Sequence, residues 1–145
     1  MADTLNGRPG TNFWIVSGVA LIWNLIGLVF YYLEVTATPE ALATLTEAQQ
    51  NFLANKPSWA TSAFAIAVTT GVLGSLLLLL RKALALPMFI ISLAGIVVQN
   101  LHAFGMADGL EAWGTSGVIL PTITIIVAIA LILYARAAQV RGWIA

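Results

Sequence analysis

Four long apolar runs, Phe13 to Leu33, Trp59 to Leu80, Leu86 to Met106 and Ser116 to Ala135, take up most of the chain. Each is about 20 residues long, and at about 1.5 Å of rise per residue each helix would match a hydrocarbon layer about 30 Å thick. None of the runs contains Asp, Glu, Lys or Arg. A charge at the centre of such a helix would cost about 2.5 to 3.5 kcal/mol. The pattern predicts an all-α polytopic membrane protein, an antiparallel four-helix transmembrane bundle with a short amphipathic outer helix. The expected order is a cytoplasmic tail over 1–12, spans over 13–33, 59–80, 86–106 and 116–135, outer loops over 34–58 and 107–115, an inner loop over 81–85 and a second cytoplasmic tail over 136–145.

Basic residues in short loops set the orientation. With the amino terminus inside, the inner segments hold Arg8, Arg81, Lys82, Arg136 and Arg141, and the outer segments hold only Lys56. Glu34, Glu40, Glu47, Asp108 and Glu111 then face outward. The first run is longer than a signal-peptide core of about 7 to 15 residues. It is therefore read as a signal-anchor rather than a cleaved leader, although Val35-Thr36-Ala37 would pass as a cleavage site.

Polar and special residues punctuate the runs. Thr11 or Asn12 can cap the first helix, Ser58 the second and Thr115 or Ser116 the fourth, and Pro87 suits the first turn of the third. The five-residue link Arg81–Ala85 makes the second and third helices antiparallel neighbours. In the larger outer loop, Thr38-Pro39-Glu40 is a helix start, and Leu42, Leu45, Phe52 and Leu53 follow at helical spacing with Gln49 interrupting the face. This helix would lie on the interface or over the bundle mouth, or be a solvated connector. Asp108-Gly109 marks a turn in the shorter loop.

Composition narrows the function classes. Of 145 residues, 60 % are hydrophobic and 8 % charged, against about 25 % charged in soluble domains. The formal net charge is zero, so charge gives no argument for nucleic-acid binding, and no nucleic-acid partner is expected. With no cysteine there are no disulfides, thiolate metal sites or thiol catalysis.

Polar and small residues inside the spans are the candidate functional positions. Ser17, Ala20, Asn24, Gly27 and Tyr31 recur at steps of three and four, and Ser92, Gly95, Gln99, His102 and Met106 repeat that spacing at a constant offset of 75 positions. Each set marks one helix face. The offset is compatible with a duplicated hairpin, although the second and fourth runs do not match at it. Asn24, near mid-span, needs a partner inside the protein, and Gln99 or Asn100 is expected to supply it. Adjacent residues differ by roughly 100° around a helix, so only one of those two is expected on that seam. Thr70 and Thr124 complete the expected polar interior with Ser17, Ser92 and His102. Ala63, Ala67, Gly71 and Ser75, spaced every fourth residue, form a small-residue stripe for helix packing or a subunit interface.

His102 is the only histidine. Without a second histidine, a cysteine or a carboxylate at its depth it makes a poor metal or haem ligand. A proton-relay role and a neutral, hydrogen-bonded packing role both fit it. The intramembrane serines lack a triad, because His102 has no acidic partner within its span. No enzyme, cofactor or metal site is expected.

Several strings carry a resemblance: Leu21-Ile22-Trp23-Asn24-Leu25-Ile26-Gly27, Pro39-Glu40-Ala41-Leu42, Trp59-Ala60-Thr61, Gly71-Val72-Leu73-Gly74, Ala85-Leu86-Pro87 and Ser92-Leu93. Together they resemble a family of small four-span bacterial inner-membrane proteins to which the label "sugar transporter" is often attached. The resemblance runs from Trp14 to about Met106. It implies a bacterial inner-membrane location. The uncharged amides and hydroxyls at Asn24, Thr70, Gln99 and Thr124 suit transport of a neutral, sugar-like solute, the expected activity of a non-enzymatic bundle that no motif assigns further. A single bundle should close around its own side chains, so transport is expected to need a homo-oligomer with the pathway between protomers. The alternative is an accessory or assembly subunit that binds another membrane protein. Membrane lipid is a partner in either case.

Overall fold

A computed structural model describes residues 7–145. Residues 1–6 of the expected amino-terminal tail, Asp3 among them, lie outside the described residues. The described chain is helical: α1 (Thr11–Val35), α2 (Pro39–Ala43), α3 (Glu47–Ala54), α4 (Ser58–Leu79), α5 (Ala85–Asn100), α6 (Gly109–Trp113) and α7 (Ile119–Val140). A π-helical turn, Leu101–Met106, continues α5, and a 3₁₀ turn, Thr115–Val118, leads into α7. Four helical stretches, Thr11–Val35, Ser58–Leu79, Ala85–Met106 and Thr115–Val140, are long and apolar enough to cross a membrane, which suggests a membrane location.

Glycine and small residues decide which helices touch. A Cβ on Gly95 of α5 would sit 2.8 Å from the Ala63 carbonyl oxygen of α4, and one on Gly74 would sit 2.8 Å from the Phe89 ring. These two helices pack most closely, backbone near backbone. α1 packs on the other side of α4, where Gly71 admits the Asn24 side chain and Gly27 meets Val68. α7 packs against α5.

All four meet at one end, here the near end. Phe13, Leu78, Ala85, Phe89, Leu131, Ala135, Trp143 and Ile144 form the main buried cluster there. The Phe13 ring stacks on Tyr134 at 6.3 Å and stands edge-on to Trp143 at 6.0 Å. The last residues close this end: Gly142, with φ of 71°, turns the chain back, Ala83 N–H donates to Ala145 O at 3.0 Å and Ala145 N–H donates to Arg81 O at 3.0 Å. Arg81 stands where helix ends favour glycine, with φ of 58°, and Lys82 N–H donates to Leu77 O to finish the turn.

The helix starts differ from expectation. Gly10 precedes α1 and Pro57 precedes α4, neither with a side-chain cap, so Thr11, Asn12 and Ser58 do not cap their helices. Thr115 and Ser116 fall in the 3₁₀ turn, leaving Val118 as the residue before α7. The single outer helix is two. Thr44 ends α2, its hydroxyl donating to Ala41 O, and Thr46 restarts the chain in a reciprocal capping box with Gln49. The expected turn at Asp108-Gly109 opens the short helix α6.

Candidate functional site

α1 and α7 each pack on a different inner neighbour, and the Phe13–Tyr134 contact joins them at the near end. Towards the far end, which carries α2, α3 and α6, a hollow remains among the four long helices. Its deep chamber has a volume of about 210 Å³ and is walled by Trp23, Asn24, Ile26, Gly27 and Phe30 of α1, Phe64, Ala67 and Val68 of α4, Ser92, Ile96, Gln99 and Asn100 of α5, and Leu120, Pro121 and Thr124 of α7. Gln99, Asn100, Leu120 and Pro121 also wall an upper chamber of about 300 Å³, with Glu34, Phe52, Lys56, His102 and Trp113. Phe52 and His102 in turn border a mouth chamber of about 450 Å³ with Asn51, Asn55, Asp108 and Glu111. Beneath the deep chamber lies a void of about 20 Å³, bordered by Phe89 and Leu131 of the near-end cluster. The hollow is a vestibule that is wide towards the far end and narrows towards the near-end cluster.

Most polar groups in the deep chamber are already engaged. Asn24 Nδ2 donates to Ala20 O at 2.9 Å and to Ser75 Oγ at 3.0 Å. The Ser75 hydroxyl donates to Gly71 O at 2.9 Å. The expected partner of Asn24 on α5 is thus corrected: Gly71 lets α1 come close enough for Asn24 to reach Ser75 on α4. Ser92 Oγ donates to Ala67 O of α4 at 2.7 Å, and Thr124 Oγ1 donates to Leu120 O at 2.8 Å. Asn100 Nδ2 donates to Ile96 O at 2.8 Å, whereas the Gln99 amide is tied to no described residue.

Gln99 and Asn100, both read as polar interior and as partners for Asn24, both line the deep and upper chambers, and neither bonds Asn24. The cavity extends between α1, α4 and α7, and so accepts side chains over a wider arc than a two-helix seam. Thr70 lies outside these chambers, and its hydroxyl donates to Ile66 O at 2.6 Å. Ser17 is fully buried nearer the closed end, and its Oγ has no partner among the described residues. Ala63, Ala67, Gly71 and Ser75 are all buried within this one chain, on the α4 surface that meets α5 and α1.

His102 lies in the π-helical turn, where Ala107 N–H donates to His102 O, five residues back. The extra residue breaks the face expected over Ser92, Gly95, Gln99, His102 and Met106: His102 is 6 % exposed and Met106 73 %. The Trp59 ring stands edge-on to the imidazole at 5.2 Å, and Phe52 lies 6.2 Å away. The hydrogen-bonded packing role read for His102 is unmet at Nδ1, which is buried without a partner among the described residues. Beside it, Lys56 Nζ bonds the Glu34 carboxylate and lies 5.2 Å from the Phe64 ring centroid.

Sequence reasoning missed Phe52, Lys56, Glu34 and Trp113 as wall residues. One signal was present: Lys56 is the sole basic residue between the first two long runs, and Glu34 directly follows the first. No group of three or more His, Cys, Asp or Glu able to hold a metal occurs among the described residues. No family model, curated protein or solved structure matches the chain.

Proposed function

We propose that this chain is a membrane-embedded, antiparallel four-helix bundle that takes a neutral, polar, sugar-like group into its vestibule and acts in transport rather than catalysis. The near end, with Arg8, Arg81, Lys82, Arg136 and Arg141, faces the cytoplasm of a bacterial inner membrane, and the far end faces outward. Exposed large apolar side chains such as Ile15, Val19, Ile22, Ile126 and Leu133 suit contact with lipid. Residues at equivalent rungs of α4 and α5 run in opposite order, Ala63 by Gly95 and Gly74 by Phe89, which supports the antiparallel arrangement.

The observation that carries the reading is the connection of the chambers through Gln99 and Asn100. The upper chamber offers amides, an imidazole and the aromatic walls Phe52 and Trp113, a mixture suited to groups that are hydroxylated but uncharged. Lys56 and Glu34 neutralise one another, leaving no free charge of that pair to select an ion. One protomer holds the whole site, so a homo-oligomer is not needed to build it. Passage across the bilayer requires the Phe13–Trp143 seal to open.

Purified protein in liposomes should exchange a radiolabelled neutral glycoside, and Gln99→Leu should reduce exchange while the helical circular-dichroism signal is kept. Exchange no faster than in protein-free liposomes would refute the transport reading.

A further inference from the structure

We infer that the ligand is a lipid, with its uncharged hydroxylated head in the upper chamber and a hydrocarbon tail in the deep chamber, leaving the bundle between α1 and α7. The inference rests on the proposed function and names the substrate class for the same vestibule.

The two chambers differ in chemistry. Trp23, Ile26, Phe30, Phe64, Val68 and Leu120 give the deep chamber a mainly apolar wall. Its Ser92 and Thr124 hydroxyls and the Asn24 NH₂ group already bond protein atoms. A free polyol lowered to this level would find few free donors besides the Gln99 amide, so several of its hydroxyls would go unpaired, a loss that hydrocarbon does not incur. Asn24 lies eleven residues before Val35, about 16 Å along α1 at 1.5 Å per residue, so the chamber floor reaches the depth of acyl chains.

The side of the deep chamber is the gap left where α1 and α7 pack on different neighbours. Its rim residues Ile26, Phe30 and Leu120 are 49 %, 52 % and 51 % exposed. An apolar tail held there passes from the protein into surrounding lipid without crossing water. Above it, Gln99 has an amide free of described partners, and buried His102 Nδ1 has none. Hydroxyls can donate to or accept from the Gln99 amide, and from His102 Nδ1 once the imidazole turns that buried atom towards the chamber. An anionic head would find Lys56 already bonded to Glu34, with Asp108 and Glu111 bordering the mouth.

The test uses the full chain in mild detergent, titrated with monoglucosyl diacylglycerol, with methyl glucoside as the head alone, and with phosphatidylglycerol as an anionic lipid. Native mass spectrometry counts bound lipid and calorimetry gives affinity. The glycolipid is expected to bind one per chain and about tenfold or more tighter than methyl glucoside, with phosphatidylglycerol failing to compete. A Cβ on Gly27 meets only Val68 Cγ1, at an ordinary 3.6 Å, so Gly27→Leu grows into the deep chamber. That variant should weaken glycolipid binding about tenfold and leave methyl glucoside unaffected; Thr124→Phe supplies the same test from α7 should the first variant not fold.

Equal affinities for head and lipid, or glycolipid binding unmoved by filling the chamber, would overturn the tail and leave the upper-chamber reading standing. Equal binding of phosphatidylglycerol would overturn the uncharged head. Binding of neither glucoside would remove both readings.

Discussion

Asn24 of α1 donates a hydrogen bond to Ser75 Oγ of α4 at 3.0 Å, across a gap that exists because residue 71 is glycine. The bond ties α1 to the tightly packed α4–α5 pair at the level of the vestibule floor. A cross-helix bond of this kind in a membrane protein is worth about 0.6 to 1.7 kcal/mol. A double-mutant cycle of Asn24→Leu and Ser75→Ala should return a coupling energy in that range in steric-trap or denaturant unfolding. Additive single effects would show that the bond contributes nothing.

Glycine positions separate close packing from open space. At Gly95 an added Cβ meets backbone, the Ala63 carbonyl oxygen at 2.8 Å, and at Gly71 it collides with Asn24 Oδ1. At Gly27 the first neighbour stands 3.6 Å away. Gly95→Ala and Gly71→Ala should therefore destabilise by about 1 to 3 kcal/mol as overpacked sites. Gly27→Ala should be neutral or slightly stabilising, since alanine is the better helix former by up to about 1 kcal/mol. Unfolding midpoints in detergent would check the order, which inverts if the helices relax apart freely.

Arg81 is predicted to tolerate glycine better than alanine. Its φ of 58° costs a non-glycine residue about 1 to 2 kcal/mol, and its guanidinium offsets this by bonding the Trp143 carbonyl from Nε at 2.7 Å and the Gly7 carbonyl from Nη2 at 3.1 Å. Either substitution frees the carboxy-terminal segment, but alanine keeps the backbone strain as well. Hydrogen exchange at the Ala83 and Ala145 amides should quicken in both variants. The alanine form should be less stable by about 1 kcal/mol, and equal stabilities would mean that the turn relaxes.

Charge-free length made the four long helices legible in the sequence, because only burial or lipid tolerates such runs. Thr38-Pro39-Glu40 announced α2 for an equally local reason, a cap followed by a residue with fixed φ. The break between α2 and α3 was hidden: Leu42, Leu45, Phe52 and Leu53 keep helical spacing across it, and the capping box at Thr46 overrides that spacing. The partner of Asn24 was hidden for a tertiary reason. Periodicity places a residue on a face but does not say which helix lies opposite, and the choice of α4 rests on the missing side chain at Gly71. Gln99, Asn100, His102 and Thr124 were marked as interior by being polar within apolar runs. The aromatic walls were not, since Trp23, Phe52 and Phe64 look like any membrane-facing ring until the gap between α1 and α7 is seen.

His102 separates a structural role from a binding role most directly. Its imidazole is buried between Trp59 and Phe52, yet Nδ1 has no partner among the described residues. A buried polar atom left unpaired costs about 1 to 3 kcal/mol. His102→Leu keeps comparable bulk and removes that cost, so thermal unfolding in detergent should show stability unchanged or raised by up to about 2 kcal/mol. If the unpaired nitrogen serves a ligand in the upper chamber, the same variant should bind methyl glucoside about tenfold more weakly, the loss of one hydrogen bond to a neutral group. His102→Gln, which restores a donor and an acceptor, should recover part of that affinity. A variant that is destabilised and still binds at full strength would make His102 a packing residue and take it out of the site.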